Sequence, residues 1–280
     1  MNTGSSHRDS ASPGLPLSLS LEDIRSHMIE RARDLVHELV KEKGREKPPF
    51  LAENLARLQG IKEIMKIDLG NVDALLLRTA SGYIMKLNAN HIPERQNFSC
   101  AHEIAHTFLH ELELQGSTKS AEFRTVGEDM SSRAKERLCN IAAAELLMPE
   151  PVFREYMLNF GISVDSIERL ANVFRVSRET AAIRIGEVSL EPCIPIIWRR
   201  WQKTNSKGFV AKRKHNEKPT YVRDPSALTK AYESSISVRS FRSFEIGNVR
   251  KRCLMESKGF GYDKMRYVIS LVFPERRGKT

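Results

Sequence analysis

The sequence has no run approaching the ~20 consecutive apolar residues that a membrane-spanning helix needs, so no span is expected within its 280 residues. It also lacks a basic start followed by an apolar stretch. The opening MNTGSSHRDSASPGLPLSLSLEDI is rich in Ser, Gly and Pro, and residues 1–20 read as a disordered tail rather than a secretion signal. Cysteine is scarce: Cys100, Cys139, Cys193 and Cys253 stand far apart with no CxxC pair. That spacing argues against a disulfide framework and for free thiols in a reducing cytoplasm. No internal repeat is visible.

What is present is the balance of an ordinary folded protein, with 40% apolar and 29% charged residues. The length fits one large domain or two to three smaller ones. The net charge of +10 is unevenly placed: residues 191–280 hold 21 Lys and Arg against 8 Asp and Glu, leaving 24 against 27 in residues 1–190. All of the basic excess lies in the last third. It points either to a polyanion partner, such as a nucleic acid, or to a basic solvated face.

Apolar residues at Leu21, Ile24, Met28, Ala32, Leu35 and Leu39 predict a helix that stops at Gly44. KPPFLAENLARLQGI gives a short helix opened by proline and ended at Gly60. The alternating IKEIMKIDLGNVDALLLRTASGYIMKLNAN reads as two or three short strands in a small sheet. A helix is expected over about residues 98–112, then a polar loop LQGSTKSAEFRTVGEDMSS, then a second helix over 132–148 ended by Pro149. Helical patterning continues to about Val188. Beyond Glu191 the texture becomes that of a small β-rich or α+β domain, with RYVISLVF as a buried strand. The fold class is α+β.

The stretch SCAHEIAHTFLHE sets His102, His106 and His110 at four-residue spacing, with Glu103 directly after the first. On a helix, residues four apart lie about 40° apart around the axis. His102 and His106 therefore project one turn apart from one face, where both can reach a single zinc ion at ~2.0–2.1 Å. Glu103 is placed to take a proton from a water that the metal activates. Ile104, Ala105, Phe108 and Leu109 predict a buried helix, and burying histidines and a glutamate costs energy unless they are paired or metal-bound. An HExxH motif is short enough to arise by chance, so a third ligand matters. The position six residues after His106 is Leu112 rather than histidine, which excludes the metzincin arrangement. His110 lies too far along the helix to share one small ion, and is expected to support the site or simply to pack. A glutamate from a later helix remains. Glu136 and Glu145 in SSRAKERLCNIAAAELLMPE are nine residues apart and so on opposite helix faces. The small Ala142, Ala143 and Ala144 allow close approach to the HExxH helix, and Asn140 is placed to hold the second ring nitrogen of His102 or His106. Geometry alone favours Glu136 over Glu145 only modestly.

RQNFSCAHEIAHTFLH followed by ERLCNIAAAELLMPE resembles the ImmA/IrrE metallopeptidases, whose pattern is RxxFxxAHExxHxxLH and then ExxANxxAAxLLMP. PPFLAENLARLQGI and SGYIMKLNAN extend the resemblance to residues 45–188. It departs from the pattern at Cys139, where alanine is usual, and in a long excursion of 29 residues from Thr107 to Lys135. The resemblance implies a gluzincin-like, mainly helical peptidase domain with a small sheet. It further implies one Zn2+ ion on His102, His106 and Glu136, with Glu103 as general base. A helix-turn-helix repressor is the implied substrate, cleaved in a stress or mobile-element response. His91, His110, Tyr83 and Tyr156 are the conceivable oxyanion-stabilising groups.

VDSIERLANVFRVSRETAAIRIGEV, residues 164–188, is helix-turn-helix-like, with Ser177 capping its second helix. Read as a groove binder it presents Arg178, Thr180 and Arg184 to DNA; read as a buttress it packs against the rest of the chain. In WRRWQKTNSKGFVAKRKHNEK aromatics alternate with Lys and Arg, a mix that suits nucleic acid or an ordinary basic surface. The expected organisation is a tail at 1–20, a peptidase domain at 21–150, a helix-turn-helix-like segment at 151–190 and a basic, β-rich domain at 191–280. The expected function is a cytoplasmic zinc endopeptidase acting on a regulatory protein. The rival is a DNA-associated regulator that keeps its metal site without turnover.

Overall fold

The computed structural model describes residues 20–44, 46–119, 130–203, 206–211, 221–223, 226–246, 249–262 and 266–274. The expected tail therefore lies outside the described residues, except for Ser20. Helix α1 (Leu21–Lys43) begins there: Ser20 Oγ accepts from the Asp23 amide at 3.1 Å, and the Asp23 carboxylate accepts from the Ser20 amide at 2.9 Å. It ends at Gly44, whose φ of 60° is the left-handed conformation that glycine adopts without steric cost. Its stripe of Ile24, Met28, Ala32, Leu35, Val36 and Leu39 is buried.

Helix α2 (Ala52–Leu58) leads into strands β1 (Ile61–Ile67), β2 (Ala74–Thr79) and β3 (Gly82–Asn88). They form one sheet in the order β1-β3-β2, with β2 and β3 antiparallel and β1 parallel to β3. Helix α3 (Pro93–Lys119) carries the histidine motif. It is longer than expected at both ends. Pro93 occupies the first position, where a missing amide costs nothing, and residues 113–119 continue the helix instead of opening the polar loop. That segment contains Glu and Gln, which favour helix, and no proline. Helix α4 (Ser132–Leu147) packs against α3 through a surface in which Ala142 and Ala143 are fully buried, and α5 (Glu150–Phe160) follows Pro149.

Helices α6 (Val164–Phe174) and α7 (Arg178–Val188) are joined by a turn at Arg175. A second sheet follows, built from β4 (Ile194–Lys203), β5 (Ser206–Ala211), β6 (Tyr221–Arg223), β7 (Val238–Ile246), β8 (Val249–Phe260) and β9 (Tyr267–Pro274). Its order is β6-β5-β4-β9-β8-β7, and every pairing is antiparallel. The short α8 (Ser226–Ser234) covers one face, where Leu228 and Ala231 meet Trp198, Phe209, Met255, Val268 and Val272. On the other face Ile197, Phe260, Ile269 and Leu271 join the same apolar core as α6 and α7. Gly186 permits that closeness, since a Cβ there would lie 2.5 Å from the Pro195 ring. The architecture is α+β. Among the described residues, no helix is long and apolar enough to cross a membrane.

Candidate metal centre

The α3 helix is held from below by its first turn. The Gln96 amide nitrogen donates to the carbonyls of Asn88 (3.0 Å) and His91 (2.9 Å), tying the helix to the end of β3. Asn97 accepts from the Ala52 amide at 2.9 Å and donates to the Arg175 carbonyl at 3.1 Å, joining α2, α3 and the α6–α7 turn. Sequence reasoning passed over both residues. Their only signal was a place six and five residues ahead of His102. Ile104, Ala105, Phe108 and Leu109 are buried and fix the helix's rotation, so that His102 and His106 face α4.

Opposite them, Glu136 completes a cluster of three donor groups. His102 Nε2 lies 3.1 Å from one carboxylate oxygen of Glu136, His106 Nε2 lies 3.5 Å from the other, and the two ring nitrogens are 3.2 Å apart. Asn140, one turn beyond Glu136, puts its Oδ1 3.1 Å from His102 Nδ1. With an amide oxygen there, Nδ1 carries the ring proton and Nε2 turns a lone pair toward the carboxylate. Two ring nitrogens and a carboxylate converging in this way repel one another unless a cation or shared proton lies among them. A tetrahedral ion bound at ~2.0–2.1 Å would set its ligand atoms about 3.3–3.4 Å apart, close to the observed spacings. Imidazole and carboxylate are also the donor types that zinc takes. The residues fit the ion.

Glu103 is half-buried beside this cluster. Burial, then the negative charge of Glu136, pushes its carboxyl up to about 7; a cation among the ligands would act in the opposite direction. Burial, then the neighbouring His102, holds His106 below the ordinary imidazole range, which favours the neutral ring that a metal requires.

His110, one turn further along, does not join the cluster. It stacks on Tyr83 with ring centroids 6.0 Å apart, and its Nδ1 lies 3.4 Å from the tyrosine hydroxyl. Two of the four conceivable oxyanion groups thus pair with each other. A third, His91, sits against Asp73 at 3.4 Å, and Tyr156 packs its ring on Phe160 and Phe174.

Glu145 is the other acid on α4 and it is fully engaged. It bonds Arg184, accepts from Arg33 Nε at 2.8 Å and accepts from the Glu150 amide at 3.0 Å. Arg184 also donates to the Met148 carbonyl. Of the two readings of this segment, the groove binder does not suit Arg184, whose side chain is buried and bonded to Glu145. Arg178 is bonded to Glu168 and lies over Phe260, and the Thr180 hydroxyl is 2.8 Å from that of Ser177. Helix α7 packs on β4 and β9, and each of these three side chains has a partner within the fold.

Residues 59–186 match the family described as the IrrE N-terminal-like domain. Two curated relatives are both called radiation response metalloprotease IrrE. The one from Deinococcus radiodurans is 34% identical over 112 residues, which cover 40% of this chain and 33% of the relative. The one from Deinococcus deserti is 31% identical over 113 residues, covering 40% of this chain and 39% of the relative. The chain thus spans little more than a third of the length of the relatives it matches. A solved structure described as a Mycobacterium tuberculosis transcriptional regulator aligns over 91% of this chain and 80% of its own, with a TM-score of 0.53 and 17% identity. That likeness is one of fold.

Proposed function

Because the chain belongs, through residues 59–186, to the ImmA/IrrE peptidase family, we propose that it is a zinc-dependent endopeptidase that cleaves a regulatory protein. The observation that carries this reading is the convergence of His102, His106 and Glu136 at spacings of 3.1–3.5 Å, with Glu103 alongside. In this reading the three residues hold one zinc ion, and Asn140 orients His102 through its Nδ1 proton. The ion, when bound, supplies Lewis acidity that polarises a peptide carbonyl and brings the pKa of water toward ~7. Glu103 accepts the proton of the attacking water and passes it to the departing amine, so that it ends the cycle ionised as it began. The half-buried position of Glu103 supports this role, since a base partly shielded from bulk water can hold its proton near the site.

The remaining parts follow the same reading. Residues 21–150 form the catalytic unit, 151–190 a helical segment that braces it and 191–280 a basic unit with a role of its own. The buried thiols of Cys100, Cys139 and Cys193 support a reducing, cytoplasmic setting. A helix-turn-helix repressor, cleaved in a stress or mobile-element response, is the proposed substrate on the strength of the family resemblance.

The test is a cleavage assay with purified repressors of that class, comparing the wild-type protein with Glu103→Gln. The variant should retain zinc, measured by metal analysis, while its turnover falls on the order of 10²–10⁴-fold, the usual worth of a general base. Equal cleavage by both proteins would remove Glu103 from the mechanism, and a zinc-loaded wild type that cuts no such repressor would remove the proposed substrate.

A further inference from the structure

The second sheet has one face that α6 and α7 cover only in part. Strand β7 lies at the sheet's edge, with β8 and then β9 beside it. Near α6 the face is covered. Glu256 of β8 accepts from the Val164 amide at 2.9 Å, and Lys258 reaches Asp165 at 2.7 Å. Toward the other end of the strands the face opens. Phe241 of β7 is 56% exposed, and its cross-strand partner Leu254 and that residue's neighbour Phe273 are half-buried. One guanidinium lies against the ring and a second shares its strand face. Arg252 of β8 is exposed and lies 4.6 Å from the Phe241 centroid. Arg239, two residues before Phe241 and so on the same strand face, donates its Nε to Glu256 at 2.9 Å while its side chain stays 73% exposed.

We propose that this face of β7, β8 and β9 binds single-stranded nucleic acid, with a base stacked on Phe241 and backbone phosphates on Arg239 and Arg252. A half-exposed aromatic ring on a strand face offers a stacking surface that any base can use; both arginines can supply phosphate contacts, and Arg252 adds cation–π support. The charge has the required sign. The segment 238–260 holds six Lys and Arg against two Glu, within a C-terminal third of 21 basic and 8 acidic residues. A duplex fits less well, because its bases present no free face to Phe241 and because Arg178, Thr180 and Arg184 are engaged within the fold. The inference does not rest on the peptidase reading, since none of these residues belongs to the metal cluster.

The experiment is a fluorescence-anisotropy titration of the full chain against labelled oligo(dT) and oligo(U) of about 16 nucleotides, the upper site size for a sheet-based platform. Binding should weaken as salt rises, with log affinity falling linearly in log salt. Phe241→Ala should weaken binding on the order of 5–100-fold, the worth of one stacked base. Arg239→Gln and Arg252→Gln should each reduce the salt slope by about 0.7, the value of one phosphate contact on a single strand. Phe241→Trp keeps the stacking surface, so it should retain affinity and show quenched indole emission on binding. Its result stands even if the alanine variant fails to fold. A preference for oligo(dT) or for oligo(U) would identify which nucleic acid is favoured, and both support the proposal. No binding at low salt, wild-type affinity in a folded Phe241→Ala, equal affinity for a duplex of the same length, or tighter binding of a polyglutamate peptide would each overturn it.

Discussion

Two glutamates on helix α4 share a backbone and differ in everything else. Glu136 stands near the start of the helix, about half exposed, with its oxygens turned to two ring nitrogens. Glu145 stands near the end, almost fully buried, gripped by Arg184, by Arg33 and by the Glu150 amide. Nine residues place them on opposite faces, and each face meets a different neighbour. One looks at α3 and two of its histidines. The other is closed in by α1, α5 and α7. A carboxylate with fixed cationic partners is a brace. A carboxylate facing two ring nitrogens offers the third donor of a set that a cation can fill, and that makes it a ligand in our reading.

The contrast is broken most forcefully at Glu145. Glu145→Ala leaves Arg184 charged and buried, and should cost about 3–5 kcal/mol of folding stability, read from the urea midpoint. Replacing both partners, as in Glu145→Leu with Arg184→Met, should recover most of that loss, because an apolar pair of similar volume removes the stranded charge. A Glu145→Ala protein as stable as wild type would show that the brace is idle. The same brace sets a pH dependence. Desolvation alone would raise the Glu145 carboxyl, but Arg184 first, then the Glu150 amide and Arg33, outweigh it and hold the group below the usual carboxylate range. Its stabilisation should therefore be complete above the unfolded value of about 4.3 and be lost as pH falls through the lower folded value. The stability gap between wild type and Glu145→Gln should shrink in that acid window.

At the other end the expected effects are on metal rather than on folding. Glu136→Gln should leave the metal-free protein's urea midpoint near that of wild type, while zinc affinity falls on the order of 100-fold or more; groups that merely orient a ligand are already worth 10–100-fold. Should Glu145→Ala lose zinc while Glu136→Gln retains it, the two roles would have to be exchanged. Asn140→Ala tests the orienting contact itself. It should weaken zinc binding about 10–100-fold, measured by competition with a chelator, and should do so without removing any of the three ligand atoms.

How much of this contrast was legible in the sequence depends on which side of the helix is considered. The histidine motif, the spacing of Glu136 and Asn140 and the row of alanines lie within short segments, and the 3.6-residue period is enough to sort them onto faces. The partners of Glu145 are not local. Arg33 lies 112 residues away on α1 and Arg184 lies 39 residues away on α7. From sequence Arg184 is simply a cation on a helix that resembles a DNA reader, and nothing in its neighbours announces burial. The parallel pairing of β1 with β3 was equally hidden, because alternation marks strands without naming their partners. The reach of α3 beyond residues 98–112 was missed for another reason: the added turns are polar, and periodicity is silent where no apolar stripe exists.

The smallest effect expected discriminates between the two arginines that hold Glu145. Arg33 donates to both Glu145 and Glu150, yet its side chain is 43% exposed. Water and salt screen that charge, and pairs of this kind are worth about 0–1 kcal/mol. Arg184 is sealed, and its removal strands the Glu145 carboxylate. Arg33→Gln should thus lower the urea midpoint slightly, by less than about 1 kcal/mol, and the loss should diminish further in high salt. Arg184→Gln should cost several times more and respond little to salt. A loss at Arg33 equal to that at Arg184 would mean that the exposed arginine carries the brace, and that solvent exposure is a poor guide to which ion pair on α4 matters.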